Sequence, residues 1–296
     1  MSQEDKTTAL ICCTTFDDFA AKVRLVKWGV PRIFRGQRDP SWPLSSLWER
    51  LLKFYRDGFS LPGQKPYGGE HPERDLDRLF GPEGRINRNR FRDALLKQFR
   101  DSIRGLPGVS NDDLCDDRKV WALGRHVGLV TPLLDWTRSP HIAAFFACFD
   151  YTEFHNPGFK AGLRGAGGSI NFMGTEKKSA DPIIIWELAL APNMEVEGEF
   201  ESFECNFTQP HRQKAQQSIF TFLTHHQYID LESYLVSRDL QSYLTRYEIP
   251  GEEVGRVLWN LKLMNITYGS LFPDVEGAAI EANTASALGV LMWQYW

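Results

Sequence analysis

Long apolar runs are absent from this sequence. The longest uncharged apolar run covers residues 142–149, far short of the roughly 20 residues a membrane-spanning helix needs. The first residues, MSQEDKTTALICC, are polar and acidic before a brief apolar patch. A secretory leader places basic residues before a longer apolar stretch, so the reading is a cytoplasmic protein with no membrane contact. Cysteine is sparse and irregular: Cys12, Cys13, Cys115, Cys148 and Cys205, with no CxxC pair. Neither a zinc knuckle nor a disulfide framework is expected. No GxGxxG or GxxxxGK[ST] follows an apolar strand-like run, which excludes Rossmann and P-loop nucleotide sites at the motif level. No internal repeat is visible, and the net charge of −4 gives no strong bias of either sign.

What is present suits a packed protein. The 296 residues are 42% hydrophobic and 13% aromatic, with nine Trp, ample for a sizeable core. Gly- and Pro-rich stretches at residues 60–73 and 156–168 read as loops. Residues 32–35 read as a short strand. Phe91, Leu95, Phe99, Ile103 and Leu106 recur at spacings of four and three, predicting a helix over 88–106. Pro140 suits the first turn of another helix, with Ile142, Ala143, Phe145, Phe146 and Phe149 on its buried side. PIIIWELAL, residues 182–190, reads as a core strand. Val254, Val257, Leu258, Leu261 and Met264 mark a further amphipathic helix. The apolar C-terminus, LGVLMWQYW, is expected to dock onto the body. Strands and helices mix without a βαβ rhythm, so the class is α+β, with a mixed or antiparallel sheet and packed helices. The expected organisation is an N-terminal segment (1–30) packed on one domain (31–296), with a helical insertion at about 74–120.

Three elements could carry chemistry. Phe34-Arg35-Gly36-Gln37 offers a guanidinium for a bidentate phosphate grip, and a glycine beside which a ligand could approach the backbone. The alternative is a structural ion pair before a turn. Residues 125–140, RHVGLVTPLLDWTRSP, mix His126, Asp135, Trp136, Thr137 and Ser139 into an apolar context, which implies a polar network or a site. Ser139 before Pro140 equally suits a helix N-cap, and Asp135 could serve only to hold Arg35. Residues 269–277, GSLFPDVEG, bring Asp274 and Glu276 either to a site or to a helix start. A fourth stretch, 210–221, has His225 and His226 nearby but no metal-ligand spacing, so no metal is expected. Between residues 31 and 107 there are 16 Lys and Arg against 10 Asp and Glu. Arg85, Arg88, Arg92 and Arg100 are candidates for an anionic partner such as nucleic acid, or simply a solvated helix face.

In this order, the elements resemble the FRG domain family. Its pattern runs FRGQ, then HxGxxTxLLDWTxxP, then an Ala/Phe-rich helix, then an RxxxQxxxFT stretch (Arg212, Gln216, Phe220, Thr221), then an SLFPD-like segment at 270–277. The family usually has QHYGLPTR where this chain has Arg125-His126-Val127-Gly128-Leu129-Val130-Thr131-Pro132. More distantly, the order is similar to ADP-ribosyltransferases of the Arg-Ser-Glu type. That likeness implies a transferase-like fold and NAD as co-substrate. Arg35 and Gln37, with Trp136, Thr137 and Ser139, would contact NAD. Glu276, or else Asp135 or His126, would act catalytically. The function so implied is an NAD-dependent ADP-ribosyltransferase, a toxin or defence effector modifying nucleic acid or protein. The alternative is a non-catalytic FRG-type module that binds nucleic acid or a protein partner. A third option is a hydrolase using His126 and Asp135 as acid and base.

Overall fold

The strand Ile183–Ala189 (β4) is buried on both faces because alternate residues fill different cores. Ile183 and Ile185 join one apolar cluster, and Ile184, Trp186 and Leu188 join the other. Such a strand belongs at the centre of a sheet. β4 pairs antiparallel with Leu244–Ile249 (β7) on one side and with Arg32–Gln37 (β2) on the other. Beyond β7, Ala9–Cys12 (β1) adds in parallel. Beyond β2 come Leu133–Thr137 (β3), Ser218–Leu223 (β6) and Phe200–Phe203 (β5), all antiparallel. The result is a seven-stranded mixed sheet in the order β1-β7-β4-β2-β3-β6-β5. The structure, a computed structural model, describes residues 8–24, 29–56, 88–155, 181–205 without 193 and 197, 211–223 and 230–293. The two expected loops, at 60–73 and 156–168, lie outside the described residues, as does Arg85. So do the side chains of 285–296, on which the expected docking of the C-terminus depends.

Eleven helices are described: α1 (Phe16–Arg24), α2 (Leu47–Arg56), α3 (Arg88–Ile103), α4 (Asn111–Leu114), α5 (Asp117–His126), α6 (Pro140–His155), α7 (His211–Gln216), α8 (Leu231–Ser237), α9 (Val254–Leu263), α10 (Tyr268–Leu271) and α11 (Val275–Trp293). The fold is therefore α+β. α6 lies on one sheet face, where Ile142, Ala143, Ala147 and Cys148 meet Phe34, Ile183 and Ile185. α9 and α1 complete that layer. α8 covers the other face, against Ile33, Trp136 and Trp186. α3 and α5 form a third cluster, with Leu96, Val120 and Trp121 packed near Leu133 and Phe220. The N-terminal residues supply both the edge strand β1 and the buried Phe16 and Phe19 of α1. α3 stops before Leu106 because Gly105 turns into the left-handed region at φ +79°. Leu106 is left exposed there.

Gly36 decides how β2 meets α6. A Cβ there would lie 2.0 Å from the Ala143 carbonyl oxygen. The glycine of FRGQ thus serves close strand-helix packing, and it also lines the cavity beside β2. Buried charge is also matched near the sheet centre. Glu187 accepts from Arg32 at 3.3 Å and from the Tyr247 hydroxyl at 3.0 Å, as a buried carboxylate requires.

Candidate functional site

The seam between β2 and β3 places the site. β2 meets β4 at every residue from Arg32 to Gln37, but it registers with β3 only through Phe34 and Thr137. Arg35 bridges the seam with its side chain: Nη1 donates to the Asp135 main-chain oxygen at 2.7 Å and lies 3.9 Å from Asp135 Oδ2. The carboxylate itself is gripped by Arg125, with Nε at 2.7 Å and Nη2 at 2.5 Å from Oδ2.

The local sequence explains how Arg125 reaches Asp135. α5 begins on the Asp116 N-cap, whose side chain accepts from the Arg118 N–H. It ends at Gly128, where φ is +89° and the Leu129 N–H returns to the Gly124 carbonyl at 2.8 Å. The glycine of HxG is therefore the stop that turns the chain toward β3. Arg125 and His126, in the last helical turn, are left facing Asp135.

The seam opens into a cavity of about 920 Å³. Arg35, Arg125, His126 and Asp135 line one end. Phe146 and Phe149 of α6, with Tyr268 and Phe272, form an aromatic wall. Tyr268 and Phe272 stack at 4.4 Å, and Phe149 meets Tyr268 at 4.8 Å. Glu153, Arg212 and Glu276 also line the cavity. Arg212 binds Asp274 at 2.6 Å through Nε, lies 3.7 Å from Glu276, and sits over the Phe272 ring at 5.4 Å. Asp274 is the cap of α11, accepting from the Gly277 N–H at 2.8 Å. Glu276 stands in the first turn of that helix with its side chain 78% exposed.

Charge states follow from these contacts. Burial pushes the Arg35 guanidinium down to about 10, against the pull of Asp135. It stays protonated at neutral pH. Burial alone would raise the Asp135 carboxyl, but Arg125, Arg35 and His126 together hold it below the ordinary carboxylate value. Asp135 in turn raises Arg125. His126 is depressed, first by burial and then by Arg212 and Arg125, with Asp135 opposing. It is a neutral imidazole near pH 7. Burial, then Glu276 and Glu153, raises the Tyr268 phenol.

Arg35, His126, Asp135, Trp136, Thr137 and Glu276 thus line one cavity. Several candidates also have internal partners. Trp136 is buried, and its indole N–H donates to Thr221 Oγ1 at 2.9 Å. Gln37 accepts from the Trp186 indole at 2.8 Å. Thr137 donates to the Gln216 carbonyl at 2.7 Å and accepts from the Ser139 N–H. Ser139 accepts from the Ile142 N–H at 3.3 Å, capping α6. On α3, Arg92 lies over Phe222 and Arg100 pairs with Asp117. The Arg88 side chain lies outside the described ones. Sequence reasoning did not single out Arg125 or the aromatic wall. Arg125 alone carried a signal, as a cation beside His126 ten residues ahead of Asp135. Among the described residues, no group of three or more His, Cys, Asp or Glu could hold a metal. No described helix is long and apolar enough to cross a membrane.

Residues 31–156 match the FRG domain family. The chain carries an FRG domain, and that span holds Arg35, Arg125, His126, Asp135 and the two α6 aromatics, whereas Arg212, Tyr268, Phe272 and Glu276 lie beyond it. No curated protein and no solved structure matches the chain.

Proposed function

We propose that this protein is an NAD-dependent ADP-ribosyltransferase of the cytoplasm, acting on a nucleic-acid or protein acceptor. The observation that supports it is one cavity receiving Arg35, Thr137 and Glu276 from three distant stretches of chain, beside an aromatic wall. A volume of about 920 Å³ suits a dinucleotide-sized ligand. Arg35 would hold the pyrophosphate, and Phe149, Tyr268 and Phe272 would stack on the nicotinamide. Breaking the ribose–nicotinamide bond develops oxocarbenium character, which a nearby carboxylate stabilises. Glu276 suits that role because Asp135 is already held by Arg125. Asp135 and Thr137 act here as positioning residues.

The test is nicotinamide release and label transfer from NAD across protein, DNA and RNA acceptors. Glu276→Gln should remove turnover while leaving melting unchanged. Arg35→Lys should weaken NAD binding, since an ammonium cannot reproduce the guanidinium fork. The internal hydrogen bonds of Gln37, Trp136 and Ser139 favour a second reading, a non-catalytic FRG-type module that binds nucleic acid or a protein partner. Absence of NAD binding and turnover with every acceptor class would establish that reading in place of the first.

A further inference from the structure

The two ends of the cavity differ in charge because their cations are held differently. At the β2–β3 end, Arg35 and Arg125 gather round Asp135. Arg38, outside the lining, pairs with Asp150 at 2.8 Å. At the α6–α11 end, Arg212 is bound to Asp274 through Nε at 2.6 Å and Nη2 at 2.5 Å. Two lining carboxylates are left over. Glu276 lies 3.7 Å from that same Arg212, and Glu153 has no cationic partner among the described residues. Helical spacing brings both to the aromatic wall. Phe146, Phe149 and Glu153 line the cavity at spacings of four and three along α6, and Glu276, Ala279 and Ile280 do the same along α11. Both carboxylates act on one ring: after burial, Glu276 and then Glu153 raise the Tyr268 phenol. The wall already carries one cation, the Arg212 guanidinium 5.4 Å over the Phe272 ring.

Carboxylates beside aromatic rings recognise an organic cation: the ring faces attract the charge, and the carboxylates accept its hydrogen bonds. We propose that the α6–α11 end of the cavity binds a basic protein side chain, arginine or lysine, between Glu153, Glu276 and the rings of Phe149, Tyr268 and Phe272. The macromolecule that meets this cavity is thereby a basic protein segment rather than nucleic acid. A polyanion meets like charge at Glu153 and Glu276. The α3 arginines have partners of their own, Arg100 with Asp117 and Arg92 over Phe222. The site stands under either reading of the cavity: the side chain belongs to the acceptor of a transferase, or it anchors the partner of a binding module.

The experiment is calorimetric titration of the full chain, without NAD, with a short peptide carrying arginine, lysine or citrulline at one central position. A single-stranded oligonucleotide is the fourth arm. The arginine and lysine peptides should bind, with affinity falling as salt rises, and the tighter of the two names the side chain. Citrulline keeps the shape of arginine without its charge and should bind about tenfold more weakly. Glu153→Gln, at a half-buried position, should weaken binding of the basic peptides by about three- to fivefold and leave melting unchanged. Glu276→Gln should weaken it similarly. The citrulline comparison needs no variant, so it decides the matter if a variant misfolds. Absence of binding by both basic peptides, equal binding of the arginine and citrulline peptides, tighter binding of the oligonucleotide than of either basic peptide, or unchanged affinity in both variants overturns the site. Nicotinamide release from NAD is read separately. Turnover without peptide affinity keeps the transferase and discards this site, whereas peptide affinity without turnover keeps this site and discards the transferase.

Discussion

Asp135→Asn isolates the charge at the centre of the site without changing its shape. The carboxylate accepts both Arg125 contacts and faces Arg35. An amide leaves the guanidiniums side by side with no counter-charge. Removing one partner of a buried pair costs about 3–5 kcal/mol. This pair faces an open cavity and the Asp135 side chain is 37% exposed, so solvent screening reduces the cost to roughly 2 kcal/mol. For a protein of this size, that lowers the melting temperature by about 4–8 °C. The pH dependence gives a second check. The folded-state pKa of Asp135 is held down, chiefly by Arg125 against the opposing effect of burial. A depressed carboxylate contributes its stability fully above the unfolded value, about 3.9. The contribution is lost as pH falls through the folded value. Urea unfolding of wild type and variant should therefore show a constant gap from pH 7 to about 5, narrowing below about 4. Equal stability at pH 7, or a gap undiminished in acid, would refute the assignment of Asp135 as the ionised partner of Arg125.

Three further outcomes are expected. Gly36→Ala should destabilise the protein by about 2–3 kcal/mol or prevent its folding, because the added methyl meets the Ala143 carbonyl oxygen at 2.0 Å; a normal melting curve would contradict the close packing of β2 on α6. Trp136→Phe should cost about 1–3 kcal/mol by leaving the buried Thr221 hydroxyl without its indole donor, and should leave ligand affinity unchanged, as calorimetry will check. Asp274→Ala should cost about 1 kcal/mol through loss of the α11 cap and should also release Arg212, which is detectable as altered ligand affinity alongside the lower melting temperature.

The adjacency of Arg35 and Asp135 could be read from residue chemistry, because a guanidinium in apolar surroundings needs an acceptor. The Ser139–Pro140 cap and a helix running from Pro140 through Phe149 were equally legible, since caps and periodicity are local properties. The strand at Ile183–Ala189 announced itself through β-branched residues. The packing role of Gly36 was not legible: a glycine in FRGQ suits an approaching ligand and a tightly packed helix equally well, and only the tertiary structure shows Ala143 against it. Trp136 posed the same difficulty. The alternation of a strand tells that it faces away from Asp135, but not which face is the cavity.

The sequence by itself determined some local devices: strands near residues 32–35 and 182–190, helices through residues 88–103, from Pro140 and around Val254–Leu263, and that an FRGQ arginine and an LLDWT aspartate belong to one constellation. These follow from near-neighbour stereochemistry and from the cost of burying an unpaired charge. Only the tertiary structure decided that β2 and β3 meet at a single register pair, that Arg125 rather than Arg35 grips the carboxylate, and that Phe149, Tyr268 and Phe272 close a wall over the opening. Those outcomes depend on how elements far apart in sequence divide a shared volume, a property of packing that no single stretch of chain contains.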